Sequence, residues 1–449
     1  MAEKLSRKTK IIYGAGDLGF SLTSTIIGAY FLLFLTDVIH LRPAYAGIAI
    51  LAGKIWDWVN DPLIGHISDR TRSRWGRRRP FLLFGALPFA LAFVMMWYRP
   101  PFESNMALVI YYAAAYVVFD AAATFVYMPY FALTPELTED YDERTALTSY
   151  RMFFSIFGSL LAFTLPLVIV GSFSPENAPK VLMMAAIFAV ISALPLWLLF
   201  FNIKEKETYA AQEKPKLIPA LKAAFQNRPF VFGAMIYLLT WICIDVIQAV
   251  LLFFVKYVLQ LEQQSDLVMA LIFVTGIFAL PIWEYASRKM EKRKAYVVGI
   301  AFFAVVLMVL ITLNATTPFW IVVLVCILAG IGVSAAHVLP WAMMPDAIEW
   351  DEYKTGERHE GVFYSLITLM LKIATSIAIP LTAVILDIAN YVPNAIEQPA
   401  SALLSFRLLI GPIPAVLMLV AIVFALRYPL DRESYSQVVE ELEERRVKA

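Results

Sequence analysis

Two acids stand four residues apart, Asp57 and Asp61, in the stretch Lys54-Ile-Trp-Asp57-Trp-Val-Asn60-Asp61-Pro62. On a helix they stack on one face, and Lys54, three residues before Asp57, falls on the same side. The stretch lies inside an apolar run from about Ala44 to Ile67, where hydrocarbon is expected. A charge at the centre of a membrane helix costs about 2.5–3.5 kcal/mol on insertion scales. Two carboxylates this close also repel each other. Such a cluster persists when it faces a bundle interior and meets a counter-charge. It fits either a cation site or a structural ion-pair knot between helices. The cation site is favoured, because the acids outnumber the one nearby base and intramembrane acids commonly mark ion pathways.

Further polar residues interrupt other apolar runs. Asp17 sits in Tyr13-Gly-Ala-Gly-Asp17-Leu-Gly, with Ser21 and Ser24 at i+4 and i+7. A carboxylate accepts two sugar hydroxyls, so Asp17 is a candidate substrate contact; the alternative is a helix-end acid near the interface. Asp120 shares a helical face with Thr124 and Tyr127. Thr124 offers a neutral oxygen to a hard cation held by Asp57 and Asp61, although a membrane threonine more often bonds its own backbone. Arg151 opens the fifth run as an interfacial anchor or as a cap on a cavity carboxylate, and the anchor is slightly favoured. Asp245 lies with Trp241 and Gln248, and His337 precedes Pro340 and Trp341. For His337, packing is favoured over a proton relay. Lys372 is the one interior charge of the eleventh run, flanked by Ser365, Thr368, Thr375 and Ser376. A buried ammonium needs a carboxylate, and the acids of the second run are the natural candidates.

The elements that must position these residues are membrane helices. The 449 residues are 60% hydrophobic and 16% charged, against about 25% charge in a soluble domain, and mean hydropathy is +0.69. Apolar runs recur at bilayer-crossing length. Twelve spans are expected, near 11–36, 44–68, 80–98, 106–133, 149–171, 180–202, 229–256, 265–286, 294–313, 317–344, 361–388 and 404–427. The expected organisation is an all-α membrane protein of two six-helix repeats, 1–202 and 229–430, a charged linker over 203–228 and a tail over 431–449. Lys and Arg concentrate in the even-numbered connections, the linker and both tails, which places both termini in the cytoplasm. The expected location is the inner (plasma) membrane, multi-pass. Net charge is +1, so no basic field suggests nucleic acid. Cys243 and Cys326 lie in apolar runs and read as neither disulfide nor metal ligands.

The interior acids Asp17, Asp57, Asp61, Asp120 and Asp245 exceed the bases Lys54 and Lys372 by three. Such an excess calls for protonation or a bound cation, which favours cation coupling over facilitated diffusion. An enzyme would need a nucleophile–base pair or a metal set, and neither is visible. A sensor without transport is disfavoured, since no soluble signalling domain is attached.

After the second run, Gly65-His-Ile-Ser-Asp69-Arg70 and Gly76-Arg77-Arg78 resemble the loop signature of the major facilitator superfamily. That resemblance gives Asp69, Arg70, Arg77 and Arg78 a gating role. More closely, the chain resembles the glycoside–pentoside–hexuronide:cation symporter family. The matching pieces are Gly14-Ala-Gly-Asp17, Ile55-Trp-Asp57-Trp-Val-Asn60-Asp61-Pro62, Thr71-Arg-Ser-Arg-Trp-Gly76, Met128-Pro-Tyr-Phe-Ala-Leu-Thr-Pro135 and Asp142-Glu-Arg144. In the second half they are Asp346-Ala-Ile-Glu-Trp-Asp-Glu-Tyr-Lys354 through Gly356-Glu-Arg358 and Gly361, then Lys372. They cover essentially the whole chain.

The resemblance implies Asp57 and Asp61 as main cation ligands, Asn60 and Thr124 as helpers, and Asp17 as a sugar-hydroxyl acceptor. It implies Arg151 at the cavity and Lys372 as the charge linking the halves. In the galactoside-type pattern a second sugar-binding acid stands where this chain has Tyr127, with Asp120 about two turns earlier. Phe131 replaces a tryptophan platform, and Lys54 replaces an arginine. The expected substrate group is therefore Asp17, Asp120, Tyr127, Phe131, Arg151, Trp341 and Lys372. The function expected is symport of a sugar, glycoside or uronide with Na+, Li+ or H+ by alternating access. No cofactor is expected, and the partners are the substrate, the cation and the bilayer, with the protein a monomer. Animal relatives of this fold carry lysophospholipids, so a lysophospholipid or other amphiphile is the alternative cargo.

Overall fold

The computed structural model describes residues 5–138, 141–203, 224–356, 360–430 and 432–448. With no water in hydrocarbon, a crossing backbone must satisfy its own polar groups, and a helix does so within one segment. Ten helical stretches among the described residues are long and apolar enough to cross a membrane. Two further helices carry the polar sequences singled out above. They are α1, Arg7–Ile26, which continues through π-helical turns Ile27–Phe31 and Phe34–Val38, and α2, Pro43–Arg70. At 28 residues and 1.5 Å rise, α2 is about 42 Å long, enough for the ~30 Å hydrocarbon core. With these two, the described helices supply the twelve spans.

One compact unit comprises Met1–Gln212, Glu262–Leu267 and Ile379–Pro399. Its remaining long helices are α3 (Arg79–Met96), α4 (Asn105–Ala132), α5 (Tyr141–Val170) and α6 (Ala178–Asn202). Helix α1 packs on α5 and α6, and α4 packs on α2 and α3. Small residues allow the close approaches. A Cβ on Gly158 would stand 2.5 Å from the Leu18 carbonyl oxygen, and one on Gly53 would overlap the Tyr116 ring. These two glycines hold α1 against α5 and α2 against α4.

The other unit comprises Glu213–Leu261, Val268–Ala378 and Ala400–Ala449. Its helices are α7 (Arg228–Phe253), α8 (Ser265–Met290), α9 (Lys292–Leu310), α10 (Phe319–Thr355), α11 (Glu360–Ile388), α12 (Ala400–Ile410), α13 (Pro412–Leu426) and α14 (Arg432–Lys448). Helix α10 packs on α7 and α9, and α13 packs on the same two.

Several spans depart from expectation; the fifth begins at Tyr141, ahead of residue 149. The first continues past residue 36 through its second π turn and buries Asp37 completely. The tenth runs beyond 344 to Thr355, where Gly356 adopts φ +73°, a left-handed stop suited to glycine. The twelfth is broken at Gly411, whose added Cβ would strike Ile311.

Candidate functional site

Two polar groups lie inside the first unit. The first is built on α2 and α4. The Thr124 hydroxyl donates to Asp61 Oδ1 at 3.2 Å. The Asn60 amide donates to the Asp120 carbonyl at 3.3 Å, which leaves its own oxygen as an acceptor. Asn60 and Thr124 are both buried. Lys54 lies over the Tyr116 ring, 5.9 Å from its centroid, and interacts electrostatically with Asp57 and Asp120. The group therefore holds three acids, one ammonium and two neutral oxygen donors. Of the two uses weighed for Thr124, a bond to its own backbone and an oxygen beside the acids of α2, the hydroxyl crosses to α2.

The second group is built on α1, α4 and α5. Arg151 Nε lies 3.3 Å from Asp17 Oδ2, with both side chains largely buried. This corrects two expectations, that Arg151 is an interfacial anchor and that its charge stands outside the interior count. The close α1–α5 packing brings it inward, and its guanidinium lies over the Phe131 ring at 4.6 Å. Tyr127 stacks on Phe131 at 6.1 Å, and Phe20 packs edge-on against both rings at 5.0 and 5.3 Å. The buried Tyr127 hydroxyl finds no hydrogen-bond partner among the described residues. The arrangement offers charge-assisted donors, a carboxylate and aromatic faces together. Asp120, expected with Tyr127 and Phe131, is grouped with Lys54 and Asn60.

Sequence reasoning missed two residues. Phe20 stands three residues after Asp17, on its side of α1, and its aromatic spacing was the available signal. Asp37 lay just past the expected end of the first span. It accepts hydrogen bonds from the Tyr391 hydroxyl at 2.5 Å and from Thr36 at 2.9 Å, and its carbonyl accepts from Asn394 at 2.6 Å. Ser21 and Ser24 have structural uses. Ser21 bonds the Ser155 carbonyl and Ser159 on α5, both at 2.6 Å, and Ser24 bonds the Ser21 carbonyl.

In the loop after α2, Arg78 is buried and donates to Ser68 at 3.3 Å. Arg79, the first residue of α3, donates to the Phe200 carbonyl at 2.5 Å, tying the end of the loop to α6. Arg70 is exposed. The Asp69 side chain, like those of Asp142, Arg144 and Arg358, lies outside what the structure describes.

In the second unit, Trp341 packs against Tyr237 at 5.4 Å and Tyr364 at 6.5 Å. His337 packs on Trp241 at 4.9 Å and bonds the Val333 carbonyl at 2.9 Å. Around Lys372, hydroxyls of the expected polar stripe bond the backbone of their own helix. Thr375 and Ser376 donate to the Lys372 carbonyl, and Thr368 donates to that of Tyr364.

Helices of this number and length, with acids buried among them, are those of a multi-pass membrane protein. The chain belongs to the MFS/sugar transport protein family, which matches residues 12–432. It is 31% identical to an uncharacterised symporter of Synechocystis sp., over 99% of this chain and 98% of that protein. It is 26% identical to a sodium-dependent lysophosphatidylcholine symporter of Danio rerio, over 95% and 86%. The crystal structure of a D-xylose–proton symporter has the same fold, with a TM-score of 0.68 at 16% identity, covering 93% of this chain and 97% of that one. The protein is accordingly a symporter-type carrier.

Proposed function

We propose that the protein couples a monovalent cation, Na+, Li+ or H+, to the movement of a sugar, glycoside or uronide by alternating access. Asp57 and Asp61 hold the cation, with Thr124 and Asn60 as neutral oxygen donors. Asp17, Arg151, Tyr127 and Phe131 receive the substrate, and Lys372 is the charge through which the second half responds. The observation that carries this reading is the Thr124–Asp61 hydrogen bond beside Asn60. A carboxylate and a neutral hydroxyl oxygen meet there, the chemistry suited to a small cation.

Cation binding neutralises the acid excess and so removes the cost of keeping both carboxylates ionised in low dielectric. The loaded carrier then exchanges outward for inward access. One unit charge crossing 100 mV supplies about 2.3 kcal/mol, roughly a fifty-fold gradient.

The test is cation-gradient-driven uptake in proteoliposomes, wild type beside Asp61→Asn. Loss of accumulation in the variant is expected, and unchanged accumulation removes the site. The lysophosphatidylcholine relative supports a second reading, in which the cargo is a lysophospholipid and the cation site is the same. Uptake of labelled lysophosphatidylcholine beside labelled sugars separates the two cargoes.

A further inference from the structure

Helix α11 is divided between the two compact units. Its residues up to Ala378 belong to the second, and its end, from Ile379, belongs to the first together with the connection that follows, up to Pro399. The division falls beside Pro380, which has no N–H to offer the Ser376 carbonyl. Just before it, the Thr375 and Ser376 hydroxyls turn back onto the Lys372 carbonyl, at 3.1 and 2.6 Å. A proline and back-bonded hydroxyls are the usual sites at which a helix bends.

Beyond that point the chain is fastened to the first repeat at three levels. Nearest the proline, a Cβ on Gly47 of α2 would lie 3.0 Å from the Ala383 Cβ and 3.3 Å from the Pro380 carbonyl oxygen. One turn on, Arg42 holds Asp387 with both edges of its fork, Nε to Oδ1 at 3.3 Å and a terminal nitrogen to Oδ2 at 3.1 Å. In the connection, Tyr391 donates to the Asp37 carboxylate at 2.5 Å and Asn394 to the Asp37 carbonyl at 2.6 Å. The Gln398 amide exchanges two hydrogen bonds with the Val392 backbone, which folds the connection back on itself. These residues lie at the ends of the first and eleventh spans, at the start of the second, or in the connections between them. Both connections follow odd-numbered spans, so the contacts share the membrane face opposite the two termini.

The chemistry suits a closure that is made and broken. Apolar packing alone would serve a permanent joint. Here two carboxylates are used, one of them, Asp37, fully buried. Water can replace the Tyr391 and Thr36 hydroxyls on Asp37 when the face opens, and the Arg42 side chain, 63% exposed, already borders water. Exchanging protein donors for water is close to balanced, which leaves the small gap that a two-state element needs. We propose that Asp37, Arg42, Asp387, Tyr391 and Asn394 form a latch that closes the face opposite the termini, and that α11 flexes at Pro380 as the latch opens. The proposal rests on the reading of the protein as an alternating-access carrier.

The test is a distance measurement by pulsed electron paramagnetic resonance on the full-length protein in lipid nanodiscs. Spin labels go on Glu103→Cys and Ile396→Cys, both exposed on that face, with the buried Cys243 and Cys326 changed to alanine. Wild type is expected to show a short distance and a minor long one. Tyr391→Phe removes one hydroxyl, and Arg42→Gln alters only an exposed residue, so the second variant keeps the test open if the first folds poorly. Each is expected to raise the ratio of long to short about tenfold. Equal distributions in wild type and both variants overturn the latch, and so does a wild type without the short distance. A second arm uses Gly47→Cys with Ala383→Cys, whose Cβ atoms stand close to the separation a disulfide spans. Uptake of labelled D-xylose, D-galactose, maltose and lysophosphatidylcholine under a Na+ gradient is expected to stop on oxidation and return on reduction. Undiminished uptake by the cross-linked protein would make the joint permanent and overturn the proposal. If the reduced protein carries none of these probes, the cargo reading fails, and the distances alone decide the latch.

Discussion

The guanidinium of Arg151 lies 3.3 Å from the carboxylate of Asp17, while its face covers the Phe131 ring at 4.6 Å. One side chain thus neutralises the only acid in the α1 part of the candidate substrate group and also ties that acid to the aromatic wall of α4. Arg suits this double use because its planar fork pairs with carboxylates and stacks on rings. Removing one member leaves the other charged, buried and alone, at a cost of about 3–5 kcal/mol. Asp17→Asn and Arg151→Gln are each expected to lower the thermal midpoint clearly. The double variant is expected to lie above the sum of the two losses. Strictly additive midpoints in this double-mutant cycle would show that the pair contributes no coupling.

Thr124 contributes a neutral oxygen to the acid group of α2 through its 3.2 Å bond to Asp61. Thr124→Ala removes that oxygen and the hydrogen bond together, a loss of about 1 kcal/mol. The cation concentration for half-maximal uptake is expected to rise about fivefold, with the maximal rate little changed. Thr124→Ser keeps the oxygen and is expected to behave nearly as wild type. Equal half-saturation in Thr124→Ala and wild type would take Thr124 out of the cation group.

The twelve-span organisation was legible in the sequence because hydrocarbon imposes a length and a composition on every crossing helix. Lys54, Asp57 and Asp61 were legible because charge is costly there and stands out from its surroundings. The Asp17–Arg151 pair was not. Its members lie in different helices, and only the glycine-mediated approach of α1 and α5, with the Leu18 carbonyl against Gly158, brings them together. Phe20 was hidden for another reason, since a phenylalanine facing a site and one facing lipid look alike in a run of apolar residues. Asp37 was hidden by the π turns, which carry the α1 segment beyond the end that its hydropathy marks.

Asp37 is fully buried, and the Tyr391 hydroxyl donates to it at 2.5 Å. Tyr391 belongs to the segment Ile379–Pro399 that joins the first unit, and Asn394 of the same segment donates to the Asp37 carbonyl. A hydrogen bond to a charged group contributes about 1.5–3 kcal/mol. Tyr391→Phe is expected to lower stability by that order, and Asp37→Asn in the Tyr391→Phe background is expected to recover part of it by removing the charge. Thermal unfolding of the two variants beside wild type checks this. No change in Tyr391→Phe would mean that Thr36 and the remaining contacts of Asp37 suffice.

The C-terminal helix α14 packs on α10. Its apolar side is short, and within it Val438 and Leu442, one turn apart, are 4% and 5% exposed. The Lys292 ammonium lies 5.3 Å from the Tyr435 ring and 2.5 Å from Asp346 Oδ1, so it bridges α14 and α10 from the start of α9. Leu442→Ala removes most of a buried side chain and is expected to cost about 2–5 kcal/mol of α14 docking. The effect is expected as local undocking of α14 rather than loss of the whole fold. Hydrogen exchange is the measurement: the amides of α14 are expected to lose protection in Leu442→Ala while those of α7 and α9 keep theirs. Unchanged protection across α14 would show that its docking does not depend on Leu442.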